Sequence, residues 1–101
     1  MSAILRQQRP MRRPDVWLRR AGAENAAFEP DTGSVHIMNE TALAIWELCD
    51  GQTQPEEMVE AIVELTGLHP DIVTEDVSRI LTDFDLANLI TWKGQDAGDQ
   101  T

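Results

Sequence analysis

Along residues 16–39 apolar and polar side chains alternate with the two-residue period of a half-buried strand. VWLRR sets Val16 and Leu18 against Trp17 and Arg19, AAFE follows the turn residues Gly22 and Asn25, and SVHIMN sets Val35 and Ile37 against His36 and Met38. Between the last two runs stands Pro30-Asp31-Thr32-Gly33, where Pro fixes φ at the first turn position and Gly accepts the left-handed one. Three short antiparallel strands are expected, with Val35 and Ile37 facing the core and His36 and Met38 outward.

After Asn39 the period becomes helical. Asn39 suits an N-cap, and Ala42, Ile45, Trp46 and Cys49 recur at i, i+3, i+4, i+7, with Leu43 and Leu48 widening the stripe until Gly51 stops it. Thr53-Gln54-Pro55-Glu56 reads as a capping box with Pro in the first turn. It opens a second helix that turns Met58, Val59, Ile62 and Leu65 inward and Glu57, Glu60 and Glu64 outward, ending at Gly67. A third begins near Pro70, capped or flanked by His69, and runs to about Asn88 on the stripe Val73, Val77, Ile80, Leu81 and Phe84; residues 89–92 close as a short extended segment. The predicted class is α+β, winged-helix-like, with three short antiparallel β-strands followed by a three-helix bundle.

The 14 residues before Asp15 carry Pro10, Pro14 and four Arg without an apolar period. Residues 1–14 are therefore expected to be a flexible basic arm, 15–92 the folded domain and 93–101 a flexible tail. An arm with nothing to bury should be dispensable to the fold.

With 101 residues and 42% of them hydrophobic, the chain has material for one core, which excludes a multidomain enzyme. Its single cysteine, Cys49, excludes an internal disulfide and a thiolate zinc ribbon, and points to a reducing, cytoplasmic setting. No signal-type apolar run and no stretch of about 18 apolar residues occurs, so no membrane association is expected. The net charge of −10 is unevenly spread: six of the eight basic residues lie in the first 20 positions against Asp15 alone, and beyond them 17 acids face only Arg79 and Lys93. Such a body repels phosphate backbones and argues against nucleic acid as a partner. Cys49 falls on a buried stripe and reads as an inert thiol, while His36, His69 and Cys49 sit on separate elements and match no metal-ligand spacing. Without a Ser-His-Asp order, a paired-carboxylate motif or a Gly-rich phosphate loop, neither enzymatic activity nor a cofactor is expected.

The stretch 35–51, VHIMNETALAIWELCDG, together with the downstream Asp76-Val77-Ser78-Arg79-Ile80-Leu81, resembles the PqqD family of small peptide-binding chaperones, also called RiPP precursor recognition elements. The resemblance spans about residues 16–92: a strand ending in Met38-Asn39, a small-residue helix closing on "W-x-x-x-D-G", then Thr53 and an acid-rich helix, then "D-V-x-x-I-L". One departure is Asn88, where the family has Gly; Asn tolerates the left-handed conformation that a helix C′ position demands. The resemblance implies a domain without catalysis of its own that binds the leader segment of a ribosomally made precursor peptide. It presents that leader to a tailoring enzyme, typically a radical S-adenosylmethionine enzyme. The leader is then expected to add as an extra strand to the third strand and to lie between it and the third helix.

On that reading the peptide-binding residues are Val35, His36, Ile37 and Met38 of the strand and Asp76, Arg79, Ile80 and Asp83 of the helix, giving a groove apolar at its floor and acidic at its lip. The module would work as a monomer or homodimer. Two other functions share the same order of elements, a winged-helix DNA-binding regulator and a generic protein–protein adaptor. The first is disfavoured by Asp71, Glu75, Asp76, Asp83 and Asp85 against Arg79 alone on the would-be recognition helix.

Overall fold

The structure, a computed structural model, describes residues 8–94. Its elements in order are β1 (Gln8–Arg12), β2 (Trp17–Ala21), β3 (Glu24–Glu29), β4 (Ser34–Met38), α1 (Glu40–Leu48), α2 (Pro55–Thr66), α3 (Pro70–Leu86) and β5 (Ile90–Gly94). The α+β class and the three expected strands and helices are present. β2, β3 and β4 form an antiparallel sheet in that order, and β1 pairs with β5 in a separate two-stranded ribbon. No helix among the described residues is long and apolar enough to cross a membrane.

The caps explain where the helices begin and end. Asn39 Oδ1 accepts from the Ala42 N–H at 2.8 Å, and His69 Nδ1 accepts from the Asp71 N–H at 3.0 Å, so each helix start has one of its unpaired donors satisfied. The box of α2 lies one residue later than the sequence suggests. Gln54 is its N-cap and Glu57 accepts from the Gln54 N–H at 2.8 Å, because the Thr53 hydroxyl is already donated to Asp50. At the end of α3, Asn88 has φ 65° and the N–H groups of Asn88 and Leu89 donate to Asp85 and Phe84, the paired closure of a left-handed helix stop. Asn88 fills the role that the resemblance assigns to Gly.

The core is built from Ile45, Trp46 and Cys49 of α1, Met58 and Ile62 of α2, and Val73, Val77, Ile80, Leu81 and Phe84 of α3, with Ala27 and Met38 from the sheet and Leu89 and Ile90 beyond the helices. Trp46 meets Phe84 edge to face, with ring centroids 5.6 Å apart. Leu65, expected inward, is 76% exposed, since α2 buries only the arc of Met58 and Ile62 and leaves Leu65 beyond its edge.

Two further expectations are overturned. The first is the irregular arm over 1–14: Gln8–Arg12 is a strand in register with β5 from Gln8↔Gly94 to Arg12↔Ile90, and residue 93, assigned to the tail, belongs to β5. Residues 1–7 and 95–101 lie outside the described residues. Pro10 is fully buried, its carbonyl accepting from the Gly51 N–H, while the Arg12 N–H donates to the Cys49 carbonyl. The strand thus finds partners on both sides, β5 and the loop after α1. Gly51 has φ 79°, and a Cβ there would stand 3.1 Å from Lys93 Cδ and 3.2 Å from Met11 Sδ, so this loop needs glycine both for its backbone and for room.

The second correction is the facing of β4. Register sets His36 against Ala27 and Met38 against Asn25, and Ala27 and Met38 are buried, so this face meets the helices. Val35 and Ile37 are 58% and 60% exposed on the other side, in rows with Phe28 and Ala26. Both faces of β4 are apolar, so alternation alone assigned the β-branched pair to the core; the Met38 side chain, entering just before α1, takes that place instead.

Candidate functional site

β4 pairs with β3 on one side only, and its other edge is open. Alongside that edge runs α3, and the two enclose a cavity of about 430 Å³. One wall is β4 itself, with Val35, His36, Ile37 and Met38, continued by Asn39 and Ala42 at the start of α1. The opposite wall carries Arg79, Ile80, Asp83, Phe84 and Ala87, with Leu89 closing one end. Met38, Ile80, Phe84 and Leu89 are buried and form an apolar floor, while Arg79 and Asp83 are exposed at the rim. Spacing explains this placement: Ile80 and Phe84 are one helical turn apart, and Arg79 and Asp83 repeat one position earlier.

Seven of the eight residues singled out from the sequence border this cavity, and Asp76 does not. Its carboxylate accepts from Arg79 Nη2 at 3.1 Å, so Asp76 orients the arginine at the rim from one turn away. The reversed facing of β4 does not remove Val35 or Ile37 from the groove, because an edge strand presents both of its faces to whatever lies along its edge. His36 contributes a buried Nε2 with no hydrogen-bond partner.

The residues that hold β4 in place were not legible as functional. Glu29 ends β3 fully buried. Its Oε1 accepts from the Thr32 hydroxyl at 2.6 Å and the Thr32 N–H at 3.0 Å, and its Oε2 from the Asp31 N–H at 2.8 Å and Arg13 Nη1 at 3.1 Å. The Thr32 hydroxyl above all, with the two turn N–H groups and Arg13, outweighs the penalty of burial and brings the carboxyl down to about 2. Arg13 also reaches Asp15 at 2.7 Å, Asp31 at 3.0 Å and the Asn88 carbonyl at 2.8 Å. It ties the β3–β4 turn to the end of α3, fixing the two walls of the groove relative to each other. The one signal for this in the sequence is an acid directly before a turn rich in N–H donors.

Cys49 is buried, its thiol pushed up to about 12 by desolvation, and its Sγ donates to the Ile45 carbonyl at 3.3 Å. Among the described residues no group of three or more His, Cys, Asp or Glu is placed to hold a metal.

The fold is thus a three-stranded antiparallel sheet followed by three helices, with an open groove between the last sheet strand and the last helix. Two solved structures share it. TbiB1, in complex with the TbiA(beta) leader peptide, matches with a TM-score of 0.69 at 21% identity, over 79% of this chain and 93% of that one. The PqqD truncation of Methylobacterium extorquens PqqCD, a stand-alone RiPP recognition element, matches with a TM-score of 0.68 at 17% identity, over 81% of this chain and 87% of that one. Residues 24–90 match the family of Coenzyme PQQ synthesis protein D (PqqD), and the chain belongs to that family. No curated protein sequence matches it.

Proposed function

We propose that this chain is a non-catalytic recognition module that binds the leader of a ribosomally synthesised precursor peptide by strand addition at β4 and presents it to a modifying enzyme, of the radical S-adenosylmethionine class. The observation that carries the reading is the open edge of Ser34–Met38 lying directly over a groove with an apolar floor and a charged rim. Main-chain pairing along the edge supplies affinity for any extended peptide, and the groove selects which side chains alternate into it. The leader peptide in the TbiB1 structure supports the reading. Precursors are made in the cytoplasm, and we place the module there. The peptide-binding set is Val35, His36, Ile37 and Met38 with Arg79, Ile80 and Asp83, and Asp76 acts through Arg79.

Titration of isotope-labelled protein with a synthetic leader of its cognate precursor should move backbone signals along β4 and the facing turns of α3, with no turnover of the peptide. Ile37→Pro removes a backbone donor and distorts the strand, and should weaken binding at least about tenfold while circular dichroism remains that of the folded protein. Signals that move only in α1 and α2 would overturn the strand-addition mode.

A further inference from the structure

A second groove lies on the far side of α1, away from β4. It is about 210 Å³, and its floor and walls are Ala44 and Leu48 of α1 and Ala61, Ile62 and Leu65 of α2, with Glu47 at its rim. Three features set it apart from an ordinary seam between helices. Its floor carries two alanines, so the backbones leave room that no side chain of this chain fills. Leu65 stands 76% exposed at its wall, a large apolar side chain held in water. Its flanks are acidic on both sides: Glu40 lies one turn before Ala44, and Glu57 and Glu64 lie one turn either side of Ala61, all of them exposed. Neither α1 nor α2 contains a single Lys or Arg.

We infer that this groove docks a basic amphipathic helix of a partner protein. An apolar stripe on such a helix would cover Leu48, Ile62 and Leu65, and lysines or arginines on its two edges would meet the glutamates of both flanks. No described helix of a second copy supplies it, because among them only α3 holds a basic residue, Arg79, and that one is paired with Asp76 at the leader groove. The docked helix therefore belongs to another protein, and the site stands independently of what occupies the groove beside β4. The two grooves are separate, so leader and partner could be held together.

The test uses two synthetic peptides of equal length and charge built from Leu and Lys, one with its leucines on a single helical face and one scrambled. The amphipathic peptide should shift the amide signals of Ala44, Glu47, Leu48, Ala61 and Leu65 and become helical on binding. Leu65→Lys and, separately, Ala61→Arg, both at exposed positions, should each weaken it at least tenfold without altering the melting curve. Equal binding of the scrambled peptide, or shifts spread over the acids of α3, would reduce the site to general charge attraction and overturn the proposal. So would shifts confined to Ser34–Met38, or no binding at millimolar peptide.

Discussion

Arg13 and Glu29 decide how the site is held. A buried carboxylate is tolerated only when every lone pair is matched, and Glu29 receives two turn N–H groups, one hydroxyl and one guanidinium. Its protonation belongs to the folding equilibrium. The folded carboxyl titrates near 2 and the unfolded one near its ordinary 4.5, so between those values the unfolded chain binds more protons. The stability contributed by Glu29 is thus complete above about pH 4.5 and is lost as pH falls toward 2. Glu29→Gln should melt several degrees lower at pH 7 and should lack the part of the wild-type acid transition that falls in that window, followed by thermal denaturation from pH 7 to 2. The turn donors lie within three positions of Glu29, but the role of Arg13 could not be read beforehand, since it lies 16 positions away and sits among other arginines that look like a solvated arm. The caps at Asn39, His69 and Asn88 were legible, because each depends on residues within five positions of it.

At the level of elements, what was readable divides by range of interaction. Helices and hairpin strands announce themselves through local periodicity, and all six appear where the pattern places them. β1 does not, because its two apolar positions, Pro10 and Met11, are adjacent and carry no period, and its pairing partner lies some 80 residues on. What makes it a strand is tertiary: β5 on one edge, the Cys49–Gly51 backbone on the other, and Arg12 Nη1 donating to the Trp46 and Glu47 carbonyls at 3.1 and 2.9 Å. Those carbonyls end α1, a helix with no basic residue in its last turn, so Arg12 supplies the cation that its C-terminus lacks. Removing residues 1–12 should accordingly destabilise the domain by roughly 2–4 kcal/mol, from several lost hydrogen bonds and exposed apolar surface, and not leave it unchanged. Urea unfolding of the shortened chain measures this directly, and a midpoint equal to that of the full chain would show the ribbon to be marginal.

The molecule as a whole separates its charges. Among the described residues the other arginines gather on β1, β2 and the Arg13 cluster, whereas the helical face is acidic, with Arg79 the one basic residue in the three helices. On the proposed strand-addition mode, recognition along β4 would draw on neutral main-chain groups and should persist in salt, while a contact between Asp83 and a basic leader residue should not. Asp83→Asn should weaken leader binding by no more than about fivefold at low salt, the scale of ~0.2–1 kcal/mol for an exposed pair, and by a smaller factor at 0.5 M salt. Isothermal titration at two ionic strengths distinguishes this from an aspartate that only faces water, for which both factors would be one. The position of the groove was foreseeable from the family pattern; the facing of β4 was not, since apolar residues on both sides of a strand leave period two without a direction. The β1–β5 ribbon also bears on how the protein comes into being. As the nascent chain leaves the ribosome, the hairpins and helices can form as they emerge and β1 can meet the Cys49–Gly51 backbone once α1 is made, but its other edge must wait until β5, made last among the described elements, has cleared the exit tunnel. Closing that clasp therefore comes after every contact that joins only the elements before β5, among them those by which Arg12 caps α1.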